Sequence, residues 1–571
     1  MGVLPLKHTT LLGLAVVALS ATLTVGGCYR KVIEDGVGAE PGARTDADGG
    51  ADAQGDGARG PEIAGPAAPL DFGTEPGGAA ALSTLSCPEL TMPAAALTAT
   101  LYVDANATGA EAGTKAAPFR TIAKAFGTAA PKGVIWIAAG MYPEQLIVPA
   151  KDLTVLGGFA RDFATRTNAC ATVLEAPNAN APVFAVPSSV KSFAMEGLTV
   201  QKAMHALFVL GDLMSPGSFT IARCVFADNG SPSMQGGAVV LDSVNARIFR
   251  SVFRNNRATK GAAVASNGNV TLTIDQNLFD HNLGYSDHGG ALYISAQKTK
   301  ISRNTFRGNA TGVGLPAGGG WGGALIVYSN SLTEIAKADL SFNVFTDNLA
   351  GIGGGVFVDD AAVVTMSHDI FYRNRSYPES GFLRGSAIYV DGTGFPEGGS
   401  TFTAEYLTVA NNDYDDKGAQ GTSQAFGGNV YVEGFSKATF TNSIFWANGA
   451  NPFYVAGGPG TLLTISDSIG TAGCTSANAE QLIPADPSIC AIGAGVFLPG
   501  AIYFGDEAAD DYHEQSTAGR YSNGSWVVDA VTSPAIDKAN PAAPVGSEPA
   551  PNGNRANLGA FAGTSEASKS P

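Results

Sequence analysis

Charge is scarce in this chain. Only 15% of its 571 residues are Asp, Glu, Lys or Arg, and these lean acidic, 34 basic against 50 acidic, for a formal net charge of −16. An acidic surface excludes nucleic acid as a partner. Long apolar runs are lacking too: the stretch near the start, Leu11 to Leu19, is shorter than a membrane span requires. Six cysteines and six histidines leave few positions for disulfides or a metal. The short apolar runs of the central chain are not separated by helical periodicity, which leaves strands as their secondary structure. Glycine, by contrast, is abundant at 73 residues, as a chain with many tight corners demands.

What is present is one phrase used seven times: Phe-x-x-Asn, at Phe226/Asn229, Phe253/Asn256, Phe279/Asn282, Phe306/Asn309, Phe345/Asn348, Phe371/Asn374 and Phe445/Asn448. Composition would scatter such pairs, whereas from Phe226 to Phe371 they recur every 26 to 39 residues or about that, the period of a solenoid. Five residues before each Phe stands an apolar residue (Ile221, Ile248, Ile274, Ile301, Leu340, Met366, Phe440). Two before it stands a small or polar one (Cys224, Ser251, Asn277, Asn304, Asn343, Asp369, Ser443). These tolerate left-handed backbone, so that column is expected to be a corner.

After each Asn comes a pair of small residues and a short β-branched or aromatic run, as in Gly236 to Leu241, Gly322 to Val327 or Gly353 to Val358, often ending at an acid such as Asp242, Asp359 or Asp391. Each unit therefore holds three short strands and three bends. Strands this short bury an apolar face only by stacking on the same strand of the next unit, with like strands about 4.8 Å apart. Phe then stacks on Phe inside, and corner Asn residues form ladders that satisfy buried polar groups. The expected fold is all-β: a parallel β-helix solenoid with three short strands per coil.

These phrases resemble those of right-handed parallel β-helix proteins, the pectate-lyase-like superfold. The pairing of Gly-Gly-Ala (Gly236, Gly289, Gly322) with Phe-x-x-Asn is also similar to the repeats of bacterial polymorphic outer membrane proteins. The resemblance covers about half the chain. It implies a right-handed coil and says little about activity, because one fold carries many.

Ahead of the repeats, Lys7, the apolar stretch and Leu23 to Cys28 form a secretory signal whose end resembles a bacterial lipobox. Residues 1–27 are expected to be removed and Cys28 lipidated. Tyr29 follows rather than Asp, which implies an outer-membrane lipoprotein at the cell surface or on the periplasmic face. Residues 28–97 are rich in Gly, Ala, Asp and Pro and read as a flexible tether spanning roughly 40 Å. Asp46, Asp48, Asp52 and Asp56 do not make a calcium loop, since Gly50 and Gly57 stand where ligands belong. The body, 98–500, opens with Leu101 to Asn106 and a short helix after Pro118 that carries Phe119, Ile122 and Phe126 on one side, placed to cap the open end of the solenoid. This entry resembles that of many bacterial β-helix proteins, including a domain of unknown function found in surface proteins. Tyr142 and Glu144 fit its phrase and are read as turn residues.

Of the cysteines, Cys474 and Cys490 lie in a Gly/Pro/Ser-rich stretch and are the first expected bridge; Cys87 and Cys170 are a weaker second pair; Cys224 is a packing residue. His281 and His288 each follow an Asp, Asp280 and Asp287, but the first falls inside the repeat and the second opens a loop, so no metal or other cofactor is assigned.

The longer insertions fall between Phe-x-x-Asn and the next small pair, so stacking is expected to bring them to one edge, and insertions on one face of a repeat protein commonly mark its binding surface. That edge collects Tyr285, Asp287, His288, Trp321, Tyr377, Glu379, Arg384, Tyr414, Asp415, Asp416 and Lys417. Aromatic faces for sugar rings and charges for hydroxyls or uronates suit glycans or another cell surface. The alternative is a polysaccharide lyase, which would bring calcium, or a glycoside hydrolase. The catalytic candidates are then Asp359 and Asp360, the nearest carboxylate pair, with Asp287 and His288. The Gly-His-Gly and Arg-Ile-Lys of polygalacturonases and the Arg-x-Pro-x-x-Arg of pectate lyases are missing, so the pair reads first as a turn. Residues 501–571, from Asp511-Tyr512-His513 through Ser533-Pro534-Ala535-Ile536-Asp537 to Asn557-Leu558-Gly559, resemble the terminal segment of exported right-handed β-helix repeat proteins and are expected to form an irregular cap over the last coil. The chain is expected to act as a monomer.

Overall fold

The computed structural model describes residues 87–571 except for 269–270, 297, 313–319, 377–384, 394–395, 413–428, 447, 449–452, 457–459, 471–473, 479–480, 485–489, 493–500 and 507–510. For 286–287 and for the strand residues between 474 and 492 only the backbone is described. The expected signal, tether and lipidated Cys28 thus lie outside the described residues, as do Tyr377, Glu379, Arg384, Tyr414, Asp415, Asp416 and Lys417. All described residues belong to one compact unit.

Three sheets of 14, 12 and 13 strands are built by successive coils, each giving one strand to each. One coil supplies Asn245–Phe249 to the first sheet, Val252–Arg254 to the second and Val264–Asn267 to the third. Pairing is parallel throughout, save for the final pair of the third sheet, Cys474–Asn478 with Gln481–Pro484, and a separate hairpin, Arg520–Ser522 with Ser525–Val527. A fourth short strand appears in five consecutive coils, from Arg257–Lys260 to Arg375–Ser376, and forms a narrow sheet beside the Asn corner.

Register follows the repeat. Ile221, Ile248, Ile274 and Ile301 stand opposite one another in the first sheet, and Phe226, Phe253, Phe279, Phe306, Phe345 and Phe371 in the second. The rings of the Phe column lie nearly parallel with centroids 4.7–5.0 Å apart, all buried. This is the strand spacing written in aromatic rings. After Phe371 the column continues through Val409 before Phe445. This coil lacks the Phe-x-x-Asn phrase because Val409 stands where Phe would, three residues before Asn412.

The Asn ladder runs from Asn229 through Asn256, Asn282, Asn309, Asn348, Asn374 and Asn412 to Asn448. Each Nδ2 donates to the Oδ1 of the next coil and to a backbone carbonyl, so a buried amide at a corner is satisfied by its neighbours. The other corner differs from expectation. Left-handed φ falls one residue before the small column, on Arg223, Arg250, Gln276, Arg303, Phe342, His368 and Asn442. The column itself is a second buried ladder, in which Ser251 accepts from Cys224 N–H, Asn277 from Ser251, Asn304 from Asn277 and Asn343 from Asn304. Its small residues are required by the interior, whereas the bend before it, half-buried at most of these positions, carries side chains as different as Arg, Gln, Phe and His. Cys224 is buried in this ladder, where burial pushes its thiol up to about 12.

At the entry, the helix Ile122–Thr128 sets Phe126 against Phe184. Its first turn is capped from outside: Glu144 accepts from the N–H groups of Ile122 and Ala123 at 2.8 and 2.9 Å. Tyr142 is buried, its hydroxyl donating to the Ala138 carbonyl and accepting from the Ala105 N–H. Both are structural, as their turn reading implies.

Cys87 and Cys170 form a disulfide with Cα atoms 5.5 Å apart, so the second-ranked pairing is the one found. The backbone places Cys474 on the third sheet and Cys490 on the first; their side chains lie outside the described residues.

The carboxyl-terminal segment is irregular, as expected, and its described contacts run along the flank to Asp467 and Ile469. Ile502, Phe504, Tyr512, Leu558 and Phe561 pack on the outward face of the second sheet, against Val344, Ile370, Tyr372, Tyr406, Ile444 and Ile469. Hydrogen bonds tie Ala562 to His368, Ala560 to Thr408 and Gly559 and Asn540 to Asn442. The outward residues of these coils are apolar, and burying them requires a cover along the flank.

Candidate functional site

Third-sheet strands begin at a column of glycines, and the long insertions return to the body there. Gly289 N–H donates to the Trp321 carbonyl and Gly322 N–H to that of Ile352, so consecutive coils superimpose at this point. Space forces the residue type: a Cβ on Gly290 would lie 2.0 Å from the Gly323 carbonyl oxygen.

Of the expected edge, Tyr285, His288 and Trp321 can be placed. His288 and Trp321 are joined in one column by backbone bridges that continue to Ile352. The His288 ring meets Trp321 edge-on at 4.8 Å, with Tyr328 at 5.7 Å and Tyr293 at 6.0 Å. Trp321 in turn stacks over Phe357 at 5.6 Å. Tyr285 is half-buried in the narrow sheet, and the Asp287 side chain lies outside the described residues. His281 is far from this group in role: its ring bonds Asp280 at 2.8 Å, which also accepts from Arg307 at 2.9 Å.

Beneath the column lies a feature the sequence reading missed. Tyr293, Ile326, Phe357, Tyr389, Tyr431 and Tyr454 face one another across successive strands of the third sheet. Their strand neighbours point into the core, so these six point outward. From Phe357 to Tyr454 their rings stack at 4.7–4.9 Å, and all six are buried. The signal was legible as an aromatic between two aliphatics, in Leu-Tyr-Ile, Val-Phe-Val and Ile-Tyr-Val, but alternation was read only for the inward face.

At the far end of these strands Asp359 lies opposite Tyr328, and Asp391 and Glu433 follow on the next two coils, their N–H groups bonding to the Val358 and Val390 carbonyls. Asp359 is 7% exposed, and its Oδ1 accepts from the Asp360 N–H at 2.8 Å. Asp360 and Ala361 both have left-handed φ, 52° and 63°, as Gly434 and Phe435 do after Glu433. Burial, and then the carboxylates of Asp391 and Asp360, hold the Asp359 carboxyl well above the usual range. Burial also raises Asp360, against hydrogen bonds to Tyr328 and Asp359. The Tyr293 and Tyr328 hydroxyls are pushed up, by burial first and by Asp360 second. Tyr389 donates to Glu433. The column thus sets carboxyl groups on adjacent strands, where burial and mutual repulsion favour the neutral form of Asp359.

Among the described residues no three His, Cys, Asp or Glu side chains converge as metal ligands. No helix among them is long and apolar enough to cross a membrane. A cleft of about 240 Å³ lies elsewhere, between the entry helix and Gln145 to Pro149; its lining is uncharged and offers no reacting group.

The family described as "Right handed beta helix region" matches residues 214–413, and a family of unknown function, DUF1565, matches 105–148. No curated protein matches the chain. Among solved structures, a PL6 family alginate lyase is similar at 11% identity with a TM-score of 0.36, over 67% of this chain and 53% of the other, so the chain spans about half the length of that enzyme. With its stacked parallel sheets and its matched central region, the chain is a right-handed parallel β-helix repeat protein.

Proposed function

We propose that this is a lipid-anchored, exported surface protein whose β-helix holds glycans or another surface at the loop-bearing edge. The observation that carries the reading is the outward row from Tyr293 to Tyr454, aromatic at every strand but that of Ile326, under the column where the insertions return, with carboxyl groups at its end. Rings stacked at strand spacing make a stiff floor, and Trp321 and Tyr285, half-buried, offer partial faces beside it. Anchoring through Cys28 and a flexible tether would let the body stand clear of the membrane. The test is titration of the full chain with a panel of neutral and acidic polysaccharides. Replacing Tyr285 and Trp321 together by alanine is expected to weaken binding at least about ten-fold; an unchanged affinity sinks the reading.

A second reading, a glycoside hydrolase, is favoured by Asp359 and Asp391. One raised, buried carboxyl suits a general acid, and Asp391 on the adjacent strand brings a second carboxyl close enough to act on it. New reducing ends from the same panel, abolished in both Asp359→Asn and Asp391→Asn, would establish it. Binding without turnover leaves the first reading.

A further inference from the structure

The first sheet turns a different face to solvent, and its charges are sorted. Strand alternation sends two rows outward. One runs Thr271, Lys298, Lys337, Val363, Thr401, Lys437; the other runs from Arg247 through Thr273, Lys300 and Asp339 to Thr365, Thr403 and Thr439. Five cations and one acid stand on these rows in a chain with 34 basic and 50 acidic residues. The single acid, Asp339, is engaged by the Thr365 hydroxyl at 2.6 Å. Lys298, Lys300, Lys337 and Lys437 are exposed, and among the described residues none lies in an ion pair. Lys298 and Lys337 occupy neighbouring strands at the same register, a like-charge pair that weakens the sheet. Among the described residues no ion pair offsets it.

From this face we infer a docking strip for a linear sulfated polysaccharide, distinct from the loop-bearing edge. The strip extends six strand spacings from Arg247 to Lys437, about 29 Å, and its two rows are about 7 Å apart, so it fits a chain laid along the stack. A flat anionic membrane fits less well, because the adjoining outward row carries Asp275 and Glu405, which a plane would press against like charge. Single-stranded nucleic acid needs aromatic platforms, and the two rows hold none. The donors are ammonium groups and threonine hydroxyls on separate strands. The one guanidinium, Arg247, lies over the Phe249 ring at 4.7 Å. Dispersed point donors suit a tetrahedral oxyanion that accepts from several directions; a planar carboxylate is met best by the arginine fork that is missing. Threonines between the lysines supply partners for sugar hydroxyls.

The test is binding of the full chain to dextran sulfate, polygalacturonate and neutral dextran at low and raised salt. Dextran sulfate is expected to bind tightest, at least about ten-fold above polygalacturonate at equal charge, to weaken steeply as salt rises through roughly 0.1 M, and to leave dextran unbound. The triple variant Lys298→Gln, Lys337→Gln, Lys437→Gln should lose about ten-fold or more while its thermal midpoint holds or rises, and the corresponding arginine variant should shift preference toward polygalacturonate. Unchanged dextran sulfate binding in the glutamine variant overturns the inference. So does tighter binding of polygalacturonate, polyphosphate, single-stranded DNA or anionic vesicles by the native chain. Replacing Tyr285 and Trp321 should leave this binding intact, so the strip and the edge fail or stand separately.

Discussion

Asp369 is the residue at which the interior departs from its own rule. Asn277, Asn304 and Asn343 each accept at Oδ1 and donate from Nδ2; at Asn343 the donation goes to the Ile301 carbonyl at 2.8 Å. Asp369 accepts at Oδ1 from both nitrogens of Asn343, and its Oδ2, the counterpart of Nδ2, receives no hydrogen bond among the described residues. A proton on Oδ2 would let it donate as the amides do. Burial accordingly pushes this carboxyl up from 3.8 to about 7. A folded value above the unfolded one means that the group's contribution is fully present below pH 3.8 and is lost as pH rises to about 7. Asp369→Asn is therefore expected to stabilise the fold at pH 8 by up to roughly 2–4 kcal/mol and by much less near pH 4, measured by denaturant unfolding at both. A variant that destabilises equally at the two values would mean the carboxylate is held ionised. The residue type was legible, in a column otherwise Asn, Ser and Cys. Its protonation was not, because that depends on what faces Oδ2 from other coils.

At the scale of the element, the entry helix illustrates how far local reading reaches. Pro118 and the apolar spacing of Phe119, Ile122 and Phe126 announced it, and Thr121 caps it in the ordinary way by accepting from the Lys124 N–H. The partner for its first two N–H groups comes from Glu144, which no local rule would join to Ile122. Glu144→Ala should cost about 1–2 kcal/mol in global stability or in amide-exchange protection of the helix, and Glu144→Gln about half as much, since one oxygen acceptor and no charge remain. The strands tell the same story. Their inward residues follow from the repeat, whereas the outward aromatics on the third sheet and the outward lysines on the first have meaning only once neighbouring strands are in register. Of the edge proposed for glycans, Tyr285, His288 and Trp321 alone have described side chains. His288 and Trp321 turn out to be packing partners.

For the whole molecule, the carboxyl-terminal segment decides how the flank is sealed. Its interface encloses Glu514, fully buried, with neither carboxyl oxygen hydrogen-bonded among the described residues. Burial raises this group from 4.5 to about 8, with His513 opposing and Glu548 and Asp511 adding to the rise; Glu548 itself is raised to about 7. Both carboxyls stabilise the docked segment in their neutral form, fully below pH 4.5, and that contribution falls away through pH 7 to 8. Hydrogen exchange of residues 535–562 is expected to speed up between pH 6 and about 9 beyond the intrinsic base catalysis, and Glu514→Gln to suppress most of the excess. An excess that persists in the variant would place the pH sensitivity elsewhere.

By itself the amino-acid sequence determined the period, the three strands, the inward Phe and Asn columns and the helix at the entry, because each depends on residues a few positions apart that repeat from coil to coil. Tertiary structure alone decided that Cys87 pairs with Cys170, that the last segment lies along the flank, and that Asp359, Asp391 and Glu433 share a column. In each of those cases the partners are far apart along the chain and meet only after stacking has set the register, and which outward groups then lose water is a property of the neighbouring coils.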